Sequence, residues 1–181
     1  MSLSAGAQGP PPASPQLSFP TSPGEQSQLP PQMPQAGIPP ATNLVSVLVS
    51  PGAVNFQLVP NGVSSGSSPV LVVTAWNLRP NVAQITLYAY FTSSAAALTG
   101  SGGVIPSAKV SGTNAQGTFQ PFTGTSAFPG GGSITVFVER ILGNTRQQSR
   151  SDAVNLRIDT TGLQLAPGSY SGVLLLQVQV M

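Results

Sequence analysis

From Asn43 onward, apolar side chains recur at every second residue, the period of a strand whose successive side chains face opposite ways. Val45, Val47 and Val49 share one face of a first run that Pro51-Gly52 interrupts. Val54, Phe56 and Leu58 share the next, before Pro60-Asn61-Gly62 turns the chain. Val70-Leu-Val-Val-Thr-Ala-Trp76 is apolar on both sides and predicts a central strand covered on both faces. In Ile85–Phe91, Ile85, Leu87, Ala89 and Phe91 point one way, Tyr88 and Tyr90 the other. Shorter candidates lie near 105–110 and 117–122. Ser133–Ile141 follows with Ile134, Val136 and Val138 inward, then a polar loop from Gly143 to Ser151. Val154, Leu156 and Ile158 alternate with Asn155, Arg157 and Asp159, a half-buried antiparallel pattern. No stretch keeps a 3.6-residue period for ten residues. The reading is all-β: a β-sandwich of seven to nine antiparallel strands over about residues 43–181.

The last run, Tyr170 to Met181, weighs most. Tyr170, Leu174, Leu176, Val178 and Val180 line one side, while Ser171, Val173, Leu175, Gln177 and Gln179 line the other. No further segment follows it in the sequence, so one of its edges is expected to need a strand from elsewhere. A strand beside an empty slot exposes a row of N–H and C=O groups, each costing about 1–3 kcal/mol if buried unpaired. A strand lent by another chain repairs this, and repeated head to tail it generates a filament.

Residues 1–42 hold 11 of the 19 prolines, among Gln, Ser and Gly. Proline cannot donate to a β-ladder, so this arm is expected to be extended or disordered, with Gln16–Phe19 its only strand-like piece. Two donor segments fit the empty slot. One is Asn43–Ser50, in which Leu44, Val45, Val47, Leu48 and Val49 would meet a neighbour; the other is Gln16–Phe19. Against the first stands the reading that Asn43–Ser50 folds back into its own domain.

Composition narrows the chemistry. Only 6% of the residues are charged, against about a quarter in ordinary soluble domains, which favours life inside an assembly or outside the cell. Cysteine and histidine are both absent, removing disulfides, thiolate ligands and the commonest general base. The four carboxylates, Glu25, Glu139, Asp152 and Asp159, form no evident pair, and Glu139 is expected to meet Arg157 across neighbouring strands. No catalytic, cofactor or metal site is predicted, so the chain is not read as an enzyme. It has no run of 18 apolar residues, and its first residues lack the basic n-region and apolar h-region of a secretion signal, so any such signal is expected to have been removed or to lie outside this sequence.

Two further features could bind ligands. Trp76, Tyr88 and Tyr90 could make a flat platform for sugar rings. Arg140, Arg146, Arg150 and Arg157 place four of the six basic groups within eighteen residues, a candidate patch for acidic polysaccharide. Without interleaved aromatics it does not read as a nucleic-acid surface.

Val49-Ser-Pro-Gly-Ala-Val-Asn-Phe56 and Leu165-Ala-Pro-Gly-Ser-Tyr-Ser-Gly-Val-Leu174 resemble the opening strand pair and the corner before the last strands of bacterial extracellular immunoglobulin-like sandwiches. In that resemblance Tyr170 is the corner tyrosine that packs back on its loop. A long N-terminal arm with a final strand lacking a successor is similar to pilus subunits and spore-coat-U-like proteins. Those families lack their own last strand and receive one from a neighbour's N-terminal extension. The resemblance implies a homopolymer at the cell surface, built by donor-strand complementation. A secreted carbohydrate-binding sandwich, and a coat or capsid protein with a flexible arm, are the alternatives.

Overall fold

The computed structural model of the chain describes residues 16–18, 42–126 and 128–181. Fifteen strands form among them: β1 (Gln16–Ser18), β2 (Leu44–Ser50), β3 (Ala53–Asn55), β4 (Val63–Ser65), β5 (Val70–Asn77), β6 (Gln84–Phe91), β7 (Leu98–Gly100), β8 (Gly103–Ile105), β9 (Val110–Thr113), β10 (Phe119–Pro121), β11 (Gly132–Arg140), β12 (Gln147–Val154), β13 (Leu156–Asp159), β14 (Tyr170–Val173) and β15 (Leu175–Val180). The fold is all-β, as the alternation predicts. Two layers face each other. One contains β11-β6-β15 and, through chain continuity, β8-β7-β14-β1-β3; the other contains β12-β5-β2 and β10-β9-β13-β4. The Ser50–Pro51 peptide between β2 and β3 is cis.

The core is filled by the inward rows of both layers. Val70, Val72 and Trp76 from β5 meet Ile85, Leu87, Ala89 and Phe91 from β6, all buried, with Leu156, Ile158 and Tyr170. Each large apolar side chain removed from water this way contributes about 1.5–3 kcal/mol. Thr74 is the odd member of the β5 row. It is fully buried, and its hydroxyl is the one buried side-chain polar atom among the described residues without a hydrogen-bond partner. Thr74→Val keeps the shape and removes the unpaired group. It should raise the unfolding free energy by about 1 kcal/mol in a denaturant titration; a loss of stability would mean the hydroxyl has a partner.

Four expectations need correction. The Val70–Trp76 run is covered on one face only. Leu71 (50% exposed) and Val73 (37%) look outward, with Leu48 of β2 (69%) opposite Val73. In β11 a register shift between Thr135 and Phe137 inserts a bulge against β6. An extra residue reverses the alternation. Phe137 is therefore buried and Val138 is exposed, the opposite of the strict period-two reading. The polar stretch after Gly143 is a loop only as far as Arg146; Gln147 to Asp152 belongs to β12, whose ladder with β5 runs over all eight residues. Finally, the last run is two strands. Leu174 is buried at the break, β14 pairs with β7, and β15 pairs with β6.

Candidate subunit-contact site

Strand β3 and strand β14 are not hydrogen-bonded to each other. The space between them is filled by β1, which pairs antiparallel with β3 and parallel with β14. Gln16 stands between Asn55 and Ser171, Leu17 between Val54 and Gly172, and Ser18 between Ala53 and Val173. Both edges of β1 are thus engaged, so each of its N–H groups faces a ladder partner. Twenty-five residues, 19–43, separate β1 from β2.

The walls of this slot are tied into the core. Val54 and Phe56 are fully buried beneath β3. On the other wall, the Tyr170 hydroxyl donates to the Ala166 carbonyl at 2.7 Å, holding the 166–170 corner against the strand. At Gly172 a Cβ would strike the Ala97 carbonyl oxygen. Glycine is needed there because another backbone passes directly underneath. Tyr170 also lines a half-open pocket of about 520 Å³ walled by Leu58, Pro60, Leu163, Leu165 and Pro167.

Of the donor residues read from the sequence, Leu44, Val45, Val47, Leu48 and Val49 all lie in β2. That strand pairs with β5 of the same chain from Leu44↔Asn77 to Ser50↔Leu71. Val47 and Val49 pack on the core, while Leu44 and Leu48 are outward. Strand β1 is the piece that lies beside the terminal run. Phe19, its expected last residue, and Glu25 fall outside the described residues, as does the rest of the proline-rich arm. On the acceptor side, Tyr170 lines the slot, Leu174 is core, and Leu176, Val178 and Val180 pack partly buried against the core from β15.

No protein family's sequence profile matches this chain, and neither does any curated protein sequence. Function must be argued from its own geometry.

The three aromatic residues do not share a surface. Trp76 is buried in the other layer, 6.5 Å from the Phe137 ring, with its indole N–H donating to the Thr145 carbonyl at 2.9 Å. Tyr88 and Tyr90 are on the outer face of β6. The Tyr90 ring is stacked flat on Phe128, centroids 3.4 Å apart, which covers the face a sugar would use. Sequence reasoning missed Phe128 because it lies in a Pro/Gly turn.

Nor do the four arginines form one patch. Arg146 is tied to the Arg79 and Val82 carbonyls, and Arg157 lies over the Phe119 ring at 4.1 Å. Arg140 ends β11, exposed. Arg150 is consumed in a clasp. Its Nε and Nη2 donate to both oxygens of Asp152 and its Nη1 to Glu139, all at 2.8 Å, above the Phe137 ring at 4.2 Å. Glu139 therefore pairs with Arg150 and not with Arg157. The reason is the β11 bulge, which turns position 139 to the same side as Phe137 and toward the opposite layer. The hydrogen bond to Asp152 raises the Arg150 pKa above its ordinary value. The clasp shuts the seam between β11 and β12, the edge strands of the two layers on that side.

Removing the guanidinium would leave Asp152, 6% exposed, without its bidentate partner. Arg150→Ala should cost about 2–3 kcal/mol in a denaturant titration, as for a charged hydrogen bond in a half-dry site. A change under about 0.5 kcal/mol would show the clasp to be an ordinary surface pair. Asp159 is held below the usual carboxylate range by the Thr161 hydroxyl and the Thr161 N–H. A lowered pKa means its stabilising share is present at neutral pH and lost as acid protonates it. Among the described residues no group of three acidic, His or Cys side chains could hold a metal ion, and no helix is long and apolar enough to cross a membrane.

Proposed function

We propose that this protein is a structural subunit of an extracellular pilus-like fibre, assembled when the arm strand of one copy fills the β3–β14 slot of the next. The observation that supports this reading is the placement of β1, a short strand far from its neighbours in sequence, paired on both sides in a gap that no other described segment enters. The slot's hydrogen bonds are the same whether β1 comes from its own chain or from another. The choice between them is one of connector length and concentration. A 25-residue connector can span about 75 Å at roughly 3 Å per residue, well beyond the diameter of one such domain.

Exchange of this kind is head to tail, so it does not close on itself and grows into a filament. Low surface charge suits it, since 6% charged residues gives little repulsion between packed copies. Immunoglobulin-like sandwiches that lack a last strand have the same need, and the Pro-Gly-Ser-Tyr corner at Tyr170 fits that resemblance. The carbohydrate-binding alternative has less support, with Trp76 in the core and the Tyr90 ring face covered. Negative-stain microscopy of the purified full chain at high concentration tests the reading. Uniform filaments several nanometres wide are expected; a solution of single particles at every concentration would refute it.

A further inference from the structure

The two strands that flank β1 lead into the same pocket. In the β1 ladders Gln16 stands level with Asn55 of β3 and with Ser171 of β14. The pairing is antiparallel to β3 and parallel to β14. Each step toward the N-terminus of the arm therefore advances along β3 and retreats along β14. Carried on in this register, position 15 falls level with Phe56 and Tyr170, position 14 with Gln57 and Ser169, and position 13 with Leu58 and Gly168. Gln57, Leu58, Gly168 and Tyr170 all line the pocket of about 520 Å³. Whatever precedes Gln16, in the copy that supplies β1, is thus aimed at this pocket.

What precedes Gln16 is Gly9-Pro-Pro-Pro-Ala-Ser-Pro15. Pro15 has no N–H with which to extend the ladder, and β1 begins at Gln16. Gly9, Pro10, Pro11 and Ser14 each stand before a proline, which biases them to extended or polyproline II backbone. A segment so restricted loses little entropy on docking, and such segments favour apolar grooves with an aromatic wall. The pocket has that character. Leu58, Leu163 and Leu165 stand half-buried in its walls, and the Tyr170 hydroxyl is anchored on the Ala166 carbonyl. None of its lining residues is charged. Gln57 and Gln164, both exposed, bring side-chain amides that can donate to the carbonyls of a chain poor in N–H groups. We propose that this pocket is the seat of the Pro10–Pro15 segment, docked as a polyproline II stretch continuous with β1. A diffusible ligand finds no charged group there to orient it. The arm, tethered beside the pocket, reaches an effective concentration on the order of millimolar. The inference rests on the place of β1 in the slot and not on which copy lends it, so it holds for a fibre and for a single folded chain alike.

Oxidation of full-length chains carrying Ser14→Cys with Gln57→Cys tests this, with Ser27→Cys/Gln57→Cys as the reference for random collision of the arm. The 14–57 disulfide should form at least about tenfold faster than the reference, whether within one chain or between two. The neutral dye Nile red reads the pocket itself. Pro12→Asp with Ala13→Asp places charges where the walls offer no partner, so the segment should leave and dye fluorescence should rise at least about threefold over wild type. The free peptide Gly9–Pro15, added at millimolar concentration, should reverse that rise. Equal dye binding by wild type and variant would overturn the proposal. So would a 14–57 pair no faster than the reference while a Ser18→Cys/Ala53→Cys chain closes, because β1 would then be in place and the pocket unused. Failure of both pairs would remove β1 from the slot and take the fibre reading with it, whereas a 14–57 disulfide found only within single chains would sink the fibre reading and leave this one standing.

Discussion

Leu17→Pro should eliminate filaments and lower the unfolding free energy by about 2–4 kcal/mol, although it changes one residue of a three-residue strand. Strand β1 is engaged on both edges, so a proline anywhere within it deletes a ladder N–H and leaves its acceptor unpaired. Each backbone group so orphaned costs about 1–3 kcal/mol when water cannot reach it. The loss does not stop there. Val54 stands at the same level as Leu17 and is fully buried, so an empty slot would wet the edge of the core beneath it. Paired measurements, microscopy for filaments and denaturant titration for stability, separate the two effects. Unaltered filaments would show that β1 is not the joining strand. A Leu17→Val chain should retain both properties.

Gly172→Ala should be among the most damaging small substitutions in the molecule, costing about 3 kcal/mol or more. The added carbon would meet the carbonyl oxygen of Ala97, with the Ala97 carbonyl carbon at 3.1 Å and the Leu98 Cα at 3.2 Å. These are backbone atoms of a neighbouring segment and cannot swing aside as a side chain would. Relief must come from moving β14 away from β7, which overpacking data place among the costly changes. Moving β14 also misaligns the wall of the slot, since Gly172 is the register partner of Leu17. Gly143→Ala is the control, because nothing lies within 4 Å of a Cβ there. Equal stability of the two variants by denaturant titration would contradict the close approach.

Much of this architecture was legible in the pattern of side chains. A half-buried strand shows its period directly, as at Val154, Leu156 and Ile158, and the inward row of β6 reads off Ile85, Leu87, Ala89 and Phe91. Three kinds of feature were not legible, each for a physical reason. A bulge reverses the alternation without leaving a compositional mark, so Val138 reads as core and Glu139 as surface until the β11 register is known. A long-range partner leaves no local trace either: Arg150 and Glu139 meet across two layers, not along a strand. Apolar residues on an outer face, such as Leu71 and Val73, look like core from their identity alone. The slot itself was half legible. The unpartnered terminal run and the strand-like Gln16–Phe19 were visible separately, but nothing local says that β1 lies parallel to β14 or that β2 belongs with β5.

The absence of cysteine makes the proposed exchange open to a simple covalent test. Ser18 of β1 and Ala53 of β3 are direct partners across an antiparallel ladder. Chains carrying Ser18→Cys alone should be mixed with chains carrying Ala53→Cys alone, oxidised, and run on a non-reducing gel. If the arm strand passes from one copy to the next, the mixture forms a disulfide-linked heterodimer that neither variant forms by itself. If the mixture stays uncrosslinked while a Ser18→Cys/Ala53→Cys double variant closes a loop within single chains, the strand never leaves its own domain and there is no exchange fibre.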